Sequence, residues 1–287
     1  MRRLPCVILG VVVFATVAPL SAQWLQYRDP AVPRTKDGKP NLSAPTPRAV
    51  DGRPDLTGVW MHELTSAEEM RRLYGPIIDE AIKVDAPGMQ IGTQHKYVIN
   101  ILLDAKSPEP LMRPETAAIV ARRLSQPLMD FCSHGEVVVP GIPVVGLLSE
   151  PIKMVQAPRL TLILYEGGLP RQIYTDGRRL PQEFDLPAYL GYSVGRWEND
   201  TFVVETAGFN DKTVLDLMGH PHSDRLRVLE RFRRRDFGHM DVDMTFDDPA
   251  RYTKPFTIHV PHDLLPDADI FEYVVENEKD CARIGKK

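Results

Sequence analysis

The feature that most constrains the fold is the stretch 191–248, which predicts two successive β-hairpins. In its second half, apolar and charged side chains alternate with a period of two on both sides of a turn at 236–238. That period is typical of strands that bury one face and expose the other. The first half repeats the pattern around a turn at 198–200. Two adjacent hairpins of this kind indicate an antiparallel sheet.

Short β segments separated by turn residues continue on both sides of these hairpins. The additional strands expected are 57–62, 152–156, 160–166, 171–175, 255–260 and 270–276. Roughly ten strands in near-meander order favour a mainly-β fold, an antiparallel up-and-down, lipocalin-like β-barrel. Two short helices are predicted, one after the capping pattern at 65–68 and one beginning at Pro114, and residues 96–103 are interpreted as a further strand.

The N-terminal region predicts export and an arm in front of the barrel. Residues 1–22 have a signal peptide's pattern, with two arginines, an apolar run too short for a comfortable membrane span, and a small residue at the cleavage point. We therefore expect a periplasmic or secreted protein without membrane insertion after cleavage. Residues 23–54 are proline-rich and predict an extended arm, laid over the surface or partly mobile. Residues 55–287 predict a single β-barrel domain.

Charge and cysteine usage restrict the classes of partner and cofactor. The formal net charge of −4 does not favour binding to nucleic acid. After signal cleavage Cys132 and Cys281 remain, and they form either one disulfide or two free thiols. The chain has no glycine-rich phosphate loop, nucleophile elbow or zinc-finger spacing, so we expect no organic cofactor. The partner expected is a small-molecule ligand or substrate, and the oligomeric state stays open.

Three residues of one polar loop form the densest group of potential catalytic side chains. His220, His222 and Asp224 are each two residues apart, and side chains at that spacing point the same way in an extended segment. They are candidates for an acid–base cluster in which Asp224 orients an imidazole. A metal half-site and a plain surface turn are the alternatives. The spacing of His259 and His262 predicts that one of these two histidines is exposed.

Glu230 interrupts the apolar face of its strand, where it stands between Val228 and Phe232. An ionised carboxylate is costly on such a face unless it is paired. Either the barrel interior is a polar pocket, in which Glu230 acts as an acid or base, or Glu230 is paired with an inward arginine such as Arg196. Tyr192 lies on the same face as Arg196. Both are therefore expected to line the cavity and to stabilise developing charge.

Three other residues complete the candidate substrate-binding set. Gly58-Val-Trp60 resembles the opening strand of lipocalin-type barrels, in which the tryptophan plugs one end. Asp176 and Arg178 belong to a Tyr-Thr-Asp-Gly-Arg segment that predicts a tight turn, and a ligand role for either of them is the alternative. The substrate-binding candidates are thus Trp60, Asp176, Arg178, Tyr192 and Arg196.

Several motifs recur in an order and spacing that resemble a large group of exported bacterial proteins. They are Pro-Asp-Leu-Thr-Gly-Val-Trp at 54–60, Tyr-Thr-Asp-Gly-Arg at 174–178, Gly-Tyr-Ser-Val-Gly-Arg-Trp-Glu at 191–198, Gly-His-Pro-His-Ser-Asp at 219–224 and Glu-Arg-Phe-Arg-Arg at 230–234. The resemblance spans residues 54–278 and implies an exported, β-rich protein without implying catalytic roles. Val275 stands where this group has cysteine, so that group's cysteine pairing is not carried over.

The functional hypothesis from sequence is an exported β-barrel enzyme that acts on a small organic molecule. Its chemistry would be acid–base catalysis of lyase, isomerase or hydrolase type, with His220, His222, Asp224 and Glu230 as catalytic residues. One alternative is a small-molecule carrier without catalysis, because binding pockets also need a few convergent polar groups. A second alternative is a metal-dependent hydrolase that uses His220, His222 and Asp224.

Overall fold

The computed structural model describes residues 28–75, 95–105, 110–125, 141–148, 150–166 and 168–271. In this part of the chain, nine strands form one closed barrel in sequence order, and the last strand pairs with the first. The mainly-β barrel predicted from sequence is confirmed. The strands are β1 Gly58–His62, β2 Ile152–Ala157, β3 Leu160–Tyr165, β4 Arg171–Tyr174, β5 Tyr192–Glu198, β6 Thr201–Ala207, β7 Arg227–Arg234, β8 His239–Asp247 and β9 Phe256–Leu264.

Some of the sequence predictions fall outside the described residues. These are the predicted signal peptide, Cys132 and Cys281, and almost all of the strand expected at 270–276. Within the described ranges, no helix combines the length and the apolar character needed to cross a bilayer.

One strand pair departs from the antiparallel arrangement. β4 and β5 are parallel, with Ile173 opposite Ser193, whereas the other eight pairs around the barrel are antiparallel. A parallel pair needs a connection that carries the chain back to the end where the previous strand began. Residues 175–191 make that connection across the outside of the barrel. The barrel is therefore mixed at this one place.

Three short helices accompany the barrel in the described ranges: α1 Ala67–Tyr74, α2 Lys96–Ile99 and α3 Pro114–Leu124. The two predicted helices, α1 and α3, are present; the amide of Glu69 donates to the Ser66 side chain at the start of α1 (3.1 Å). The strand expected at 96–103 is wrong, because α2 and turns occupy those residues. Its apolar residues are buried against the loop before β7, and such packing overrides the β preference of Tyr-Val-Ile.

Trp60 closes one end of the barrel. Its side chain is fully buried, and its indole N–H donates to the carbonyl oxygen of Leu56 at 2.9 Å. The guanidinium carbon of Arg234 lies 4.8 Å from the centroid of the Trp60 ring, and the guanidinium donates to the carbonyl oxygen of Phe237. Burial lowers the pKa of Arg234 to about 10. Trp60 therefore fills the closed end, and its assignment as a substrate-binding residue stays a prediction.

The described part of the arm lies over the barrel as two similar turns. The repeated Asp-Gly-Lys/Arg-Pro segments form these turns, each closed by a bridge between an arginine and a proline six residues later. Arg34 of the first turn pairs with Asp267 at 2.5 Å, and Arg48 of the second pairs with Asp200 at 2.7 Å. Ion pairs therefore attach the two turns of the arm to the barrel at two places, one at Asp267 after β9 and the other at Asp200 between β5 and β6.

The opposite end of the barrel is covered by the loop 208–226 together with α2 and α3. The backbone amide of Leu217 donates to the carbonyl oxygen of Val98 at 2.7 Å. The side chain of Arg123 in α3 donates to the carbonyl oxygen of Gly219. These bonds fix the loop that carries His220 and His222.

Candidate functional site

Glu230 points into the barrel, as the period-two alternation of β7 predicts. Its exposed fraction is 1 %, and its carboxylate accepts two hydrogen bonds from the guanidinium of Arg171, one of them 2.9 Å from Nη1 to Oε1. Arg171 is the first residue of β4 and is itself 3 % exposed. The interior partner of Glu230 is thus Arg171, and the expectation of Arg196 as that partner is wrong.

Two hydroxyl groups complete the hydrogen bonding of this ion pair. Arg171 donates through Nε to Ser193 Oγ at 3.1 Å and through Nη2 to Thr206 Oγ1 at 2.8 Å. The two hydroxyl oxygens lie 2.9 Å apart on the paired strands β5 and β6. A fork of two bonds to a carboxylate, with the remaining donors satisfied, offsets part of the cost of burying both charges.

A small cavity lies beside the ion pair, inside the barrel. Its volume is about 20 Å³, room for about one water molecule. Residues 141–148 cover it from one side through Ile142, Pro143 and Val145. The polar residues that line it are Tyr165, Arg171, Glu230 and His262.

Three buried histidines extend the polar interior. His62 and His262 are register partners on β1 and β9, and their ring centroids are 6.5 Å apart. His95, which precedes α2, places its ring centroid 5.8 Å from that of His62. Each of the three is at most 4 % exposed. Together with Tyr165, Arg171, Ser193, Thr206 and Glu230, these histidines form what we term the interior polar belt.

Burial keeps the imidazoles of His95 and His262 neutral. Burial, with a smaller contribution from the neighbouring imidazoles, lowers the pKa of His262 to about 3 and that of His95 to about 3. The pKa of His62 is also lowered by burial, although two backbone carbonyls oppose the shift. A carbonyl oxygen can only accept, so His262 Nδ1 donates to Val260 O at 3.0 Å. Its Nε2 is left unprotonated and able to accept a proton.

Tyr165 lines the same cavity and is a proton donor, whereas His262 is able to accept a proton. Part of this residue reaches the surface, but burial of its hydroxyl raises its pKa to about 12, with nearby Arg171 opposing the shift. The phenol is therefore protonated at neutral pH. The lining of the cavity thus includes both the protonated Tyr165 phenol and the neutral His262 imidazole.

His220 and His222 are both buried, but they form hydrogen bonds with different partners. His220 Nδ1 donates to Asp216 Oδ2 at 2.5 Å. His222 Nδ1 donates to Ser223 O at 3.1 Å, so its Nε2 accepts from the Thr213 hydroxyl at 2.6 Å. The expectation that the two rings converge at an open barrel mouth is wrong, because their hydrogen bonds fix the loop that covers this end.

Asp224 also differs from its expected role. It is exposed, and the carboxylate that orients an imidazole in this loop is Asp216. The neighbouring Ser223 is tied instead to Asp248, through its amide at 2.6 Å and its hydroxyl at 2.8 Å. His220, His222 and Asp224 therefore do not form a half-site. In the part of the chain that the structure describes, no three His, Cys, Asp or Glu residues are arranged to hold a metal ion.

This placement predicts that the loop histidine contributes to stability. Replacing His222 with leucine should lower the free energy of unfolding by about 1–3 kcal/mol, because the buried Thr213 hydroxyl loses its partner. Replacing exposed Asp224 with alanine should change it by less than about 0.5 kcal/mol. Urea denaturation of both variants is the measurement. Equal effects would contradict the assignment of His222 as a structural residue.

Three of the expected ligand residues come together, but on the outer face of the barrel. Arg178 donates to Asp176 at 2.6 Å and to the Tyr192 hydroxyl at 2.8 Å, and its guanidinium carbon lies 3.8 Å from the Tyr174 ring centroid. Arg196 is likewise exposed, where it pairs with Glu198 and Glu205. The expectation that Tyr192 and Arg196 line the interior is wrong.

The sequence analysis missed two interior residues that alternation could have revealed. His62 shares the face of Trp60, two residues earlier in β1, and Arg171 shares the face of Ile173 in β4. The expectation for the other histidine pair is confirmed: His259 is exposed and bonded to Asp243, whereas His262 is buried. Tyr165, at the end of β3, gives no comparable signal because apolar residues occupy both faces of that strand.

Comparison with known proteins identifies no family for this chain. No family model matches the chain, and no match was found among curated proteins or among solved structures.

Proposed function

We propose that this protein is an enzyme that moves protons on a small organic molecule inside its barrel, with the interior polar belt as the reaction site. One observation carries the proposal: Tyr165, whose phenol is protonated, and His262, whose Nε2 carries no proton, line the same interior cavity next to a fixed ion pair. A buried core that needs only stability is better filled with apolar side chains, since buried polar groups cost free energy.

The roles follow from the protonation states. His262 Nε2 would act as the general base, because its other nitrogen is fixed by the Val260 carbonyl. The Tyr165 hydroxyl would act as the general acid or would stabilise an enolate-like oxygen. Arg171 is occupied by Glu230, Ser193 and Thr206, so it would contribute a fixed positive charge near Tyr165. Glu230 would hold that charge in place rather than transfer a proton.

The size of the cavity constrains how a substrate reaches this site. About 20 Å³ admits one water and excludes an organic molecule. The covering segment 141–148 is held by the bond from His62 Nε2 to Leu148 O, which is 2.6 Å long. A substrate therefore enters only when this segment moves outward and releases that contact. The proposal consequently makes His62 a positioning residue that links the belt to the cover.

The proposal predicts that two conservative interior changes abolish turnover. A substrate is first identified by incubating the mature protein with metabolite extracts and following losses by mass spectrometry. Tyr165→Phe and His262→Gln should each then reduce kcat by about 10²–10⁴-fold, as expected when a general acid or base is removed. Tyr192→Phe and His259→Gln are matched controls on the outer face, and both should retain wild-type rates.

Three outcomes distinguish the possibilities. Loss of turnover in the interior variants, with wild-type rates in the controls, supports the acid–base assignment. Wild-type turnover by Tyr165→Phe and His262→Gln would overturn it. A compound that co-purifies with the protein and is never converted would favour the alternative of a small-molecule carrier.

A further inference from the structure

A cleft on the outer face of the barrel is separate from the interior cavity. It lies between residues 177–182 of the connection that crosses the barrel and the outward side chains of β5, β6 and β7. Its volume is about 490 Å³, within the range of roughly 300–1,000 Å³ typical of small-molecule sites. A neighbouring cleft of about 370 Å³ shares Gln182 and Arg227 with it. An organic molecule has room here that the interior lacks.

The lining of this outer cleft carries a net positive charge. It contains four arginines and one acidic residue, Glu205; the arginines are Arg178, Arg179, Arg196 and Arg227. The chain as a whole carries a formal net charge of −4. A positive cleft on an acidic protein concentrates anions locally and disfavours cations. The charge distribution therefore selects a negatively charged ligand.

The four guanidinium groups fall into two pairs with different roles. Arg178 is held by Asp176 and Tyr192, and Arg196 is held by Glu198 and Glu205. The side chains of Arg178 and Arg196 are therefore fixed, and their positive charges are largely compensated.

Arg179 and Arg227, in contrast, are exposed. Their side chains form no ion pair or hydrogen bond with any described residue. Asp247 is opposite Arg227 in the register of β7 and β8, yet the two side chains do not come within ion-pair distance in the described structure. Two guanidinium groups in one cleft thus keep their donors available to a ligand.

The remaining lining suits the carbon skeleton of such a ligand. Leu180 and Pro181 on one side and Val194 on the other give apolar surface between the charged groups. The planar fork of a guanidinium matches the paired oxygens of a carboxylate or a phosphate. We propose that this outer cleft is a binding site for a small organic oxyanion, whose charged group is bound by Arg179 and Arg227.

Binding of three compounds with one carbon skeleton tests this site. Galacturonate, galactose 6-phosphate and uncharged galactose are titrated into the mature protein, and binding is followed by calorimetry and by NMR shifts of the residues 177–182. At least one of the two anions should bind, galactose should bind at least about tenfold more weakly, and added salt should weaken anion binding. The carboxylate and phosphate arms show which oxyanion the cleft prefers.

Two double variants distinguish anion binding in the cleft from nonspecific electrostatic attraction. Arg179→Ala/Arg227→Ala should weaken anion binding by about tenfold or more, since two charge-assisted contacts are lost. Arg53→Ala/Lys254→Ala removes the same charge from exposed positions outside this cleft and should leave binding unchanged. Neither pair makes buried contacts, so folding should be retained. Failure of both anions to bind at millimolar concentration, or equal weakening in the two double variants, would overturn the proposal.

Discussion

Replacing Glu230 with leucine is expected to lower the free energy of unfolding by about 3–5 kcal/mol, because the guanidinium of Arg171 would remain buried without its carboxylate. Arg171→Met should cost a similar amount for the converse reason. The double variant Arg171→Met/Glu230→Leu should recover most of that loss, since apolar side chains often replace a buried ion pair at little cost. Urea denaturation of the wild type, both single variants and the double variant forms a complete cycle.

An exposed ion pair provides the matched control for this cycle. Arg196 and Glu205 pair across β5 and β6 on the outer face, where each is more than a third exposed. Alanine at either position should cost no more than about 1 kcal/mol. A loss in Glu230→Leu as small as that would contradict the assignment of a buried, desolvated pair.

The same double variant links stability to function. If the ion pair served only the fold, Arg171→Met/Glu230→Leu would keep any activity once its stability was restored. The proposed function requires instead that a stable double variant loses turnover, because the positive charge next to Tyr165 is gone. Stability and turnover therefore respond differently to the same pair of substitutions.

A fall to mildly acidic pH is the second change with a large expected effect, in this case a loss of folding stability. The pKa values of His95 and His262 are lowered to about 3, and those of His62 and His222 are lowered as well, in each case chiefly by burial. In the unfolded chain a histidine titrates near about 6.5. Below that pH the unfolded chain takes up protons that the folded barrel does not, so the folded state loses stability as the pH falls.

The pH range and the size of this loss of stability follow from the histidine pKa values, which are about 6.5 in the unfolded chain and about 3 for His95 and His262 in the folded protein. Above about pH 6.5 the histidines contribute no pH dependence, and the loss continues as the pH falls towards about 3. At about pH 5, His95 and His262 together should cost on the order of 4 kcal/mol. Carboxylates with lowered pKa values, such as Asp176 and Asp267, lose their contribution at lower pH. The range from about pH 6.5 to 5 thus reports on the histidines.

Denaturation at a series of pH values measures this effect. His95→Gln should reduce the slope of stability against pH between about 6.5 and 5 by about one proton. Stability that does not change across this range would contradict neutral, buried imidazoles.

Much of the barrel could be predicted from local patterns. Period-two alternation around the turn at 236–238 predicts one apolar and one charged face, and the structure pairs apolar Phe232 with Val242 and charged Arg233 with Asp241 in the register of β7 and β8. The same pattern placed Glu230 inside. The pattern works because one face of each strand is buried, so a shift by one residue would turn every apolar side chain outward.

The site could not be predicted because its contacts join distant segments. Glu230 and Arg171 are 59 residues apart in the chain. His62 and His262 meet only where the last strand closes on the first. A single sequence carries no signal for which inward residues face one another across a barrel. Tyr192 and Arg196 show the converse error, because their shared face was recognised but turned outward.

The protonation state of His262 tests the central claim most directly, because the proposed site needs a neutral ring with a free Nε2. The measurement is ¹⁵N NMR of the histidine side chains in the wild-type protein from about pH 8 to pH 6, a range that spans the usual histidine pKa. We predict that His262 stays protonated on Nδ1 alone throughout, as its bond to Val260 O requires. A ring that carries its proton on Nε2, or that takes up a second proton within this range, would contradict the account.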